Sequence, residues 1–453
     1  MDATKINMKP TVTPQILVLW AFLFLVQDSV NAASILVEGK EIDIGIVIKG
    51  NASFSNAFNS NKVGALVSGS EALVTSRPSK LTRIAPADMK SASELLLTLN
   101  SSAVVETADF DLPFFISSGR HPGEPNEASW PSQHWGLKRI NIEAAWNTAV
   151  GTQEVIVAVI DTGIDYNHRD LVDNIWVNSN EIPNNGVDDD LNGFIDDYYG
   201  INVCNGGNGK HDPMDDNGHG THVAGTIGAV GNNNTDLVGV NWTVRLMAIK
   251  AFCQNGQAKM GDIVEAINYS ILMGAHIVNA SWNLPNRILE EIRSQLALEG
   301  FDLSRILRSA IQRAAEREVL FIAAAGNDGD DIDARPSPPG SYALKNMLTV
   351  AATGIGDDLW ANSNWGDTSV SIAAPGVNIA GLRPGNLTAI DAGTSFAAPL
   401  VSGCAALIRS RPERVSSAEI KSRILKSGEK LGFLAGKVQS SSLLDCGKAV
   451  TFR

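Results

Sequence analysis

"EVIVAVIDTGID", residues 154–165, places six apolar residues in a row, Val155 to Ile160, before an aspartate and a glycine. A strand with one wet face alternates apolar and polar side chains, whereas a strand covered on both faces reads as an unbroken apolar run. The same texture recurs at "VRLMAIKAF" (244–252), "AHIVNASW" (275–282), "EVLFIAAAGN" (318–327), "MLTVAATG" (347–354) and "SVSIAAP" (369–375). Helical runs stand between them at "GDIVEAINYSILMG" (261–274), "LSRILRSAIQRAAERE" (303–318) and "SFAAPLVSGCAALIRS" (395–410). The alternation predicts an α/β domain with a doubly wound, mostly parallel sheet. In such sheets functional groups collect where strands end and helices begin, so the position of Asp161 at the end of its run draws attention.

The 453 residues suffice for one large domain and a smaller one. A net charge of −13 argues against nucleic acid as a partner and leaves no basic patch for an anionic membrane. Lys5 and Lys9 precede an apolar run from Ile16 to Val26, and "VNA" then sets small residues at a cut after Ala32. Residues 1–32 therefore read as a cleaved export signal; the run is shorter than the roughly 20 apolar residues of a spanning helix. Seven N-x-S/T triplets, starting at Asn51, Asn100, Asn233, Asn241, Asn268, Asn279 and Asn386, are compatible with a secreted glycoprotein. From 33 to about 116, "ILVEGKEIDIGIVI" (35–48), "SASELLLTLN" (91–100) and "SAVVETADFDL" (102–112) predict strand, helix and strand, a small α+β unit. "SSGRHPGEPNEASWPSQ" (117–133) has the composition of an exposed linker.

Three residues mark segment ends in the larger region. Asp161 closes a strand, His219 opens a small-residue helix in "NGHGTHVAGT" (217–226), and Ser395 opens another in "GTSFAAP" (393–399). Singly they are a turn former, a packed histidine and a helix cap. Together an acid, a base and a hydroxyl are the parts of an acyl-transfer centre. Two histidines three apart, His219 and His222, also share a helix face. A zinc pair would need a third and usually a fourth ligand, and no recognisable set lies near.

"VIDTGID" (159–165), "NGHGTHVAGT" and "GTSFAAP", in that order, resemble the catalytic blocks of the subtilisin-like serine proteases, and "AAAGN" (323–327) resembles a fourth. The resemblance runs from about residue 130 to 430. It implies that Asp161 orients the base, His219 is the general base and Ser395 the nucleophile. Asn327 and the Ser395 N–H would stabilise the oxyanion, and His222 would be structural. The helix start is expected to disfavour a proton on His219 and keep its ring neutral. "NGQA" (Asn255, Gly256, Gln257, Ala258) and "ASWN" (Ser281, Trp282, Asn283 after Ala280) resemble the segments that pair with an extended substrate. Gly326 would help wall the specificity pocket, and Asn283 stands where the family often has glycine. Asp330, Asp331 and Asp333, just beyond that block, would favour basic side chains in a substrate or else form a solvated acidic loop, the commoner role of a charge run.

"DDDLNGFIDD" (188–197) sets Asp188, Asp190, Asn192, Gly193, Phe194 and Asp196 in the order of ligands and turn of an EF-hand loop. Tyr199 stands where that loop carries its bidentate glutamate, so Asp196 or Asp197 would compensate. So many carboxylates repel one another without a cation, and structural Ca²⁺ is the expectation; calcium loops in the resembled family point the same way. The unit at 33–118, with its linker, sits where the family carries an inhibitory propeptide; a permanently attached accessory domain is the alternative. Residues 119–430 would be the peptidase domain and 431–453 a C-terminal tail. Cys404 reads as a buried free thiol, and Cys204 with Cys253 as a pair like one in some secreted relatives.

These readings converge on a secreted, monomeric serine endopeptidase made as a zymogen. Its partners would be protein or peptide substrates and its own propeptide, with no membrane partner once the signal is removed. A catalytically silent relative serving as a binding or inhibitory module, or a calcium-dependent adhesion protein, would leave the four ordered blocks without a use.

Overall fold

The computed structural model describes residues 134–204, 212–258, 260–284, 286 and 304–452, together with six strands N-terminal to them. The expected export signal, the helix at 91–100, the linker at 117–133 and the sequons at Asn51 and Asn100 lie outside the described residues. The chain divides into two compact units, Met1–Gly119 and Arg120–Arg453.

The first unit contains β1 (Ser34–Val37), β2 (Lys40–Asp43), β3 (Gly45–Gly50), β4 (Glu71–Ser76), β5 (Leu81–Ala85) and β6 (Val105–Asp111). β1 and β2 form an antiparallel pair; the other four form an antiparallel sheet in the order β4-β5-β3-β6. The stretch read as one strand at 35–48 is thus divided among three, and β4 and β5 were not anticipated. Strands β3 and β4 run the same way with β5 between them, and β5 and β6 do so across β3. Strands related in this way need long crossovers, as in split β-α-β folds.

The second unit is built on a nine-stranded sheet. Its members are β7 (Gly151–Asp161), β8 (Gly200–Asn202), β9 (Thr243–Lys250), β10 (Ile277–Ala280), β11 (Leu320–Ala324), β12 (Met347–Thr353), β13 (Ile372–Pro375), β16 (Glu429–Lys430) and β17 (Ser442–Leu443). Their order is β16-β17-β13-β12-β11-β10-β7-β9-β8, and only the β16–β17 pairing is antiparallel. A separate hairpin joins β14 (Ile379–Arg383) to β15 (Leu387–Asp391).

The apolar runs are apolar because both sheet faces are covered. Val155, Val157 and Val159 of β7 pack with the helices His219–Gly228 and Thr394–Arg409, while Ala158 and Ile160 pack with Met260–Leu272 and Arg305–Glu316. The doubly wound architecture follows from that two-sided burial. β9 lies on one side of β7 and β10 on the other, so the winding reverses at β7, and a crevice is expected beyond its carboxyl end. Residues past 430 are built into this unit: β17 extends the sheet and pairs with β16, and the helix Cys446–Thr451 packs into the core.

Two disulfides cross-link the second unit. Cys204 pairs with Cys253, as expected. Cys404 is not a free thiol; it bonds to Cys446, the Cα atoms 5.6 Å apart. The long helix Thr394–Arg409 brings Cys404 against the start of the terminal helix, a contact between residues 42 apart in sequence that no local pattern reveals. Closing a loop of that length restricts the unfolded chain by about 4 kcal/mol in the entropic account. Replacing both cysteines with serine is expected to lower the unfolding free energy by up to that amount in a urea titration. An unchanged midpoint would mean that the cross-link contributes nothing.

Candidate active site

The carboxyl end of β7 turns sharply at Thr162 and Gly163, and the helix His219–Gly228 begins directly against that turn. Gly163 has φ +104°, and a β-carbon on it would lie 2.2 Å from the Pro213 carbonyl oxygen. A β-carbon on Gly220 would lie 2.0 Å from the Gly163 carbonyl oxygen. Only glycine at both positions allows backbone to meet backbone this closely. Thr162 Oγ1 accepts from the Gly220 N–H and donates to Asp215 Oδ1, at 2.9 Å each. Asp215, 4 % exposed, also accepts from the N–H groups of Asn217, Gly218 and Thr221 and from the Thr221 hydroxyl. This buried carboxylate, absent from the sequence reading, ties the start of the helix to the strand end. Lys250, at the end of β9, donates to the Thr162 carbonyl at 2.7 Å and pairs with Asp216.

The result is a close pair. Asp161 Oδ1 accepts from His219 Nδ1 at 2.7 Å and from the Thr162 N–H at 2.8 Å. Asp161 is only 2 % exposed, so its charge acts on the imidazole with little solvent between. Burial alone pushes the His219 pKa down, but the Asp161 charge and hydrogen bond, helped by Asp215, raise it above the ordinary 6.5 despite Arg383. The helix start was expected to disfavour a proton on this ring; the Asp161 carboxylate acts the other way, since a full charge in contact outweighs the partial charge of a helix terminus. His222 behaves differently. It is fully buried, its Nδ1 lies 3.0 Å from Asp391 Oδ2, its ring lies 4.2 Å from that of Phe396, and burial pushes its pKa down.

Ser395 stands in the first turn of the helix Thr394–Arg409, and the ring of the next residue, Phe396, lies 5.3 Å from the His219 ring. Pro399 sits inside that helix and has no N–H to offer the Ser395 carbonyl four residues back. Ser281 Oγ supplies the missing donor at 2.8 Å, and Asn279 holds Ser281 and Ser402 through its two side-chain ends. The "ASWN" segment is thereby fastened to the start of the Ser395 helix. Thr394 completes the site. Its N–H and hydroxyl both donate to Asn327 Oδ1 at 2.9 Å, which fixes the amide so that Nδ2 points away; a β-carbon on neighbouring Gly393 would lie 3.5 Å from that Nδ2.

The remaining expected site residues fall as follows. Ser281 and Trp282 are buried, with Trp282 Nε1 donating to the Ile160 carbonyl, so their side chains serve the interior. Asn283 Nδ2 donates to Ser337 Oγ and lies 2.7 Å from the β-carbon position of Gly326, whose φ is +105°. Gly256 and Gln257 form an exposed turn after Cys253, closed by hydrogen bonds from Gly256 N to Cys253 O and from Cys253 N to Gln257 O; Ala258 is half-buried. Asp330 pairs with Arg335 in its own loop, and Asp333 ties that loop to another segment by accepting from the N–H groups of Thr368 and Ser369.

In the acidic loop, Asp188 and Asp190 come together with Glu181, a residue outside the expected set. Burial raises the Glu181 pKa, the N–H groups of Asp190 and Asp189 oppose the rise, and the Asp197 and Asp190 charges add to it. Asp196 instead accepts from the N–H groups of Asn185 and Gly186. Asp197 is buried and accepts from Tyr269, Asn178 and Asn192, and the Phe194 ring packs edge-on against Tyr269. Glu181, Asp188 and Asp190 form a cluster that could hold a metal ion.

The profile of the Subtilase family matches residues 152–441. The chain belongs to the subtilase family. Subtilisin-like protease 1 of Plasmodium vivax is 32 % identical over 336 residues, covering 70 % of this chain and 50 % of that protein. A thermophilic serine proteinase of Bacillus sp. (strain AK1) is 31 % identical over 348 residues, covering 76 % of this subtilase and 73 % of the relative. Subtilisin BL of Lederbergia lenta is 31 % identical over 298 residues, 66 % of this chain and 92 % of that protein. This chain spans about half the length of the Plasmodium relatives that it matches.

An NMR pH titration of the His219 imidazole is expected to place its pKa above 6.5, and Asp161→Asn to bring it below that value. Because the folded value is raised, the stability that the pair contributes is full below the unfolded pKa and fades as pH rises through the folded one. Equal pKa values in the two proteins would contradict this coupling.

Proposed function

We propose that this subtilase is a serine endopeptidase, exported and made as a zymogen, that cleaves peptide bonds through an acyl-enzyme. The observation that carries the reading is the Asp161–His219 pair at 2.7 Å, its carboxylate buried and its imidazole partly open to solvent, with Ser395 opening the adjoining helix. Ser395 Oγ attacks the carbonyl carbon, and His219 takes its proton and passes it to the leaving amine. Asp161 orients the ring and stabilises the imidazolium. Asn327 Nδ2 and the Ser395 N–H receive the oxyanion, and the carbonyl end of Asn327 is already held by Thr394. Water then resolves the acyl-enzyme with His219 as base. Gly256 to Ala258 and Ser281 to Asn283 flank the substrate through their backbone, and Gly326 with Asn283 bounds the pocket.

The unit at 33–118 acts as the inhibitory propeptide; its separation as a compact body and the strand at 105–111 support this role. Two disulfides are compatible with export. Among the described sequons, Asn268 and Asn386 are exposed and suit glycan attachment and Asn233 is half-buried, whereas Asn241 and Asn279 are buried with their side chains hydrogen-bonded. The mature protein works as a monomer on protein substrates. Ca²⁺ at Glu181, Asp188 and Asp190 stabilises the fold, because a hard cation suits clustered carboxylates.

Digestion of a peptide library by the processed protein tests the reading. Cleavage is expected, with Ser395→Ala inactive; no cleavage by the wild type would defeat it. Asn327→Leu is expected to lower kcat by about 100- to 1,000-fold with KM little changed, the range known for such a donor in subtilisin, a member of the same family. Added Ca²⁺ is expected to raise Tm, corresponding to about 2.7 kcal/mol at a hundredfold excess over Kd, and the effect to disappear in the double variant Glu181→Gln, Asp188→Asn. A Tm indifferent to Ca²⁺ in the wild type would remove the metal from the account.

A further inference from the structure

The β14–β15 hairpin grips the helix that carries His219 at two points. A β-carbon on Gly218, the residue before His219, would lie 2.8 Å from Arg383 Nη1 and 3.1 Å from Arg383 Cδ. Three residues beyond His219, the His222 ring covers Gly381, where a β-carbon would lie 2.0 Å from His222 Cδ2. Asp391 on β15 joins both points, accepting from Arg383 Nη2 and from His222 Nδ1. One carboxylate thus holds a guanidinium at the helix start and an imidazole in its first turn. Arg383 is 27 % exposed and Asp391 30 % exposed, so neither charge is fully screened.

We propose that Arg383 is a positioning residue for the base: clamped by Asp391 against Gly218, it fixes the start of the His219 helix and sets one positive charge at the residue preceding His219. The proposal rests on His219 as the general base. The charged and titratable groups on the elements about that helix start are Asp161 on β7, Asp215 and Asp216 in the preceding loop, and His222 on the same helix. Lys250 on β9 reaches the Thr162 carbonyl, and Arg383 and Asp391 stand on the hairpin. Asp161 and Asp215 favour a proton on His219, and Arg383 opposes it. Asp391 in turn is held down to about 2 by His222 and Arg383, so it stays ionised and tempers the Arg383 charge wherever His219 titrates. The hairpin therefore offsets part of the rise imposed by Asp161 and enlarges the neutral, basic fraction of His219 near neutral pH.

The test is an NMR titration of ¹⁵N-histidine-labelled full chain, beside the acid limb of kcat/KM. Arg383→Gln is expected to raise the His219 pKa, and the acid limb with it, by about half a pH unit, roughly threefold in proton affinity. Asp391→Asn, which leaves the guanidinium charge untempered, is expected to shift both the opposite way. Arg383→Lys keeps the charge and is expected to follow the wild type. If Arg383→Gln does not fold, the other two variants decide. A pKa unmoved by Arg383→Gln, or moved the same way by Asp391→Asn, overturns the proposal. The titration needs no catalysis, so an inactive wild type would count against the peptidase reading and leave this test intact.

Discussion

The second unit depends on one close approach, the start of the helix His219–Gly228 against the turn that ends β7. Gly220 has no β-carbon because the Gly163 carbonyl occupies that space, and Thr162 and Asp215 bind the two backbones through buried hydrogen bonds. An imidazole on that helix and a carboxylate at that strand end then have nowhere to go but toward each other. The 2.7 Å contact follows from backbone packing, and its electrostatics follow from burial. Such preorganisation matters because a catalytic group that must first be ordered loses much of its advantage.

The other half of the site is fixed by a comparable economy of backbone groups. Pro399 leaves the Ser395 carbonyl without its helical donor, and Ser281 replaces it from the end of β10. Thr394 spends its N–H and hydroxyl on the Asn327 carbonyl oxygen and so decides which way that amide points. Pro399, Ser281 and Thr394 break no bond themselves. Both devices determine where the assigned residues stand.

Much of this was legible in the chain because it is written in local texture. The continuous apolar runs became β7, β9, β10, β11, β12 and β13, since a strand covered on both faces has no reason to alternate. What escaped was non-local. The hairpin β14–β15 is short and half-exposed, without a run to announce it. Cys404 lies among small apolar residues, and only the fold brings Cys446 to it. Glu181 precedes the acidic loop and joins it through folding, while Asp196, which fits the linear pattern, turns to the N–H groups of Asn185 and Gly186. Asp215 carries no local signal in the sequence, because its five hydrogen bonds exist only once strand and helix have met. The proton affinity of His219 was misjudged for the same reason: a helix start is visible in sequence, and the separation of two side chains is not.

The central claim is that four groups distant in sequence converge on one carbonyl carbon. A crystal structure of the processed protein with a peptide boronate measures this most directly. The account predicts a covalent bond from Ser395 Oγ to boron, one boronate oxygen within hydrogen-bond distance of Asn327 Nδ2 and the Ser395 N–H, and His219 still paired with Asp161. A boronate bound elsewhere, or bonded to Ser395 with its oxygen turned away from Asn327, would contradict it.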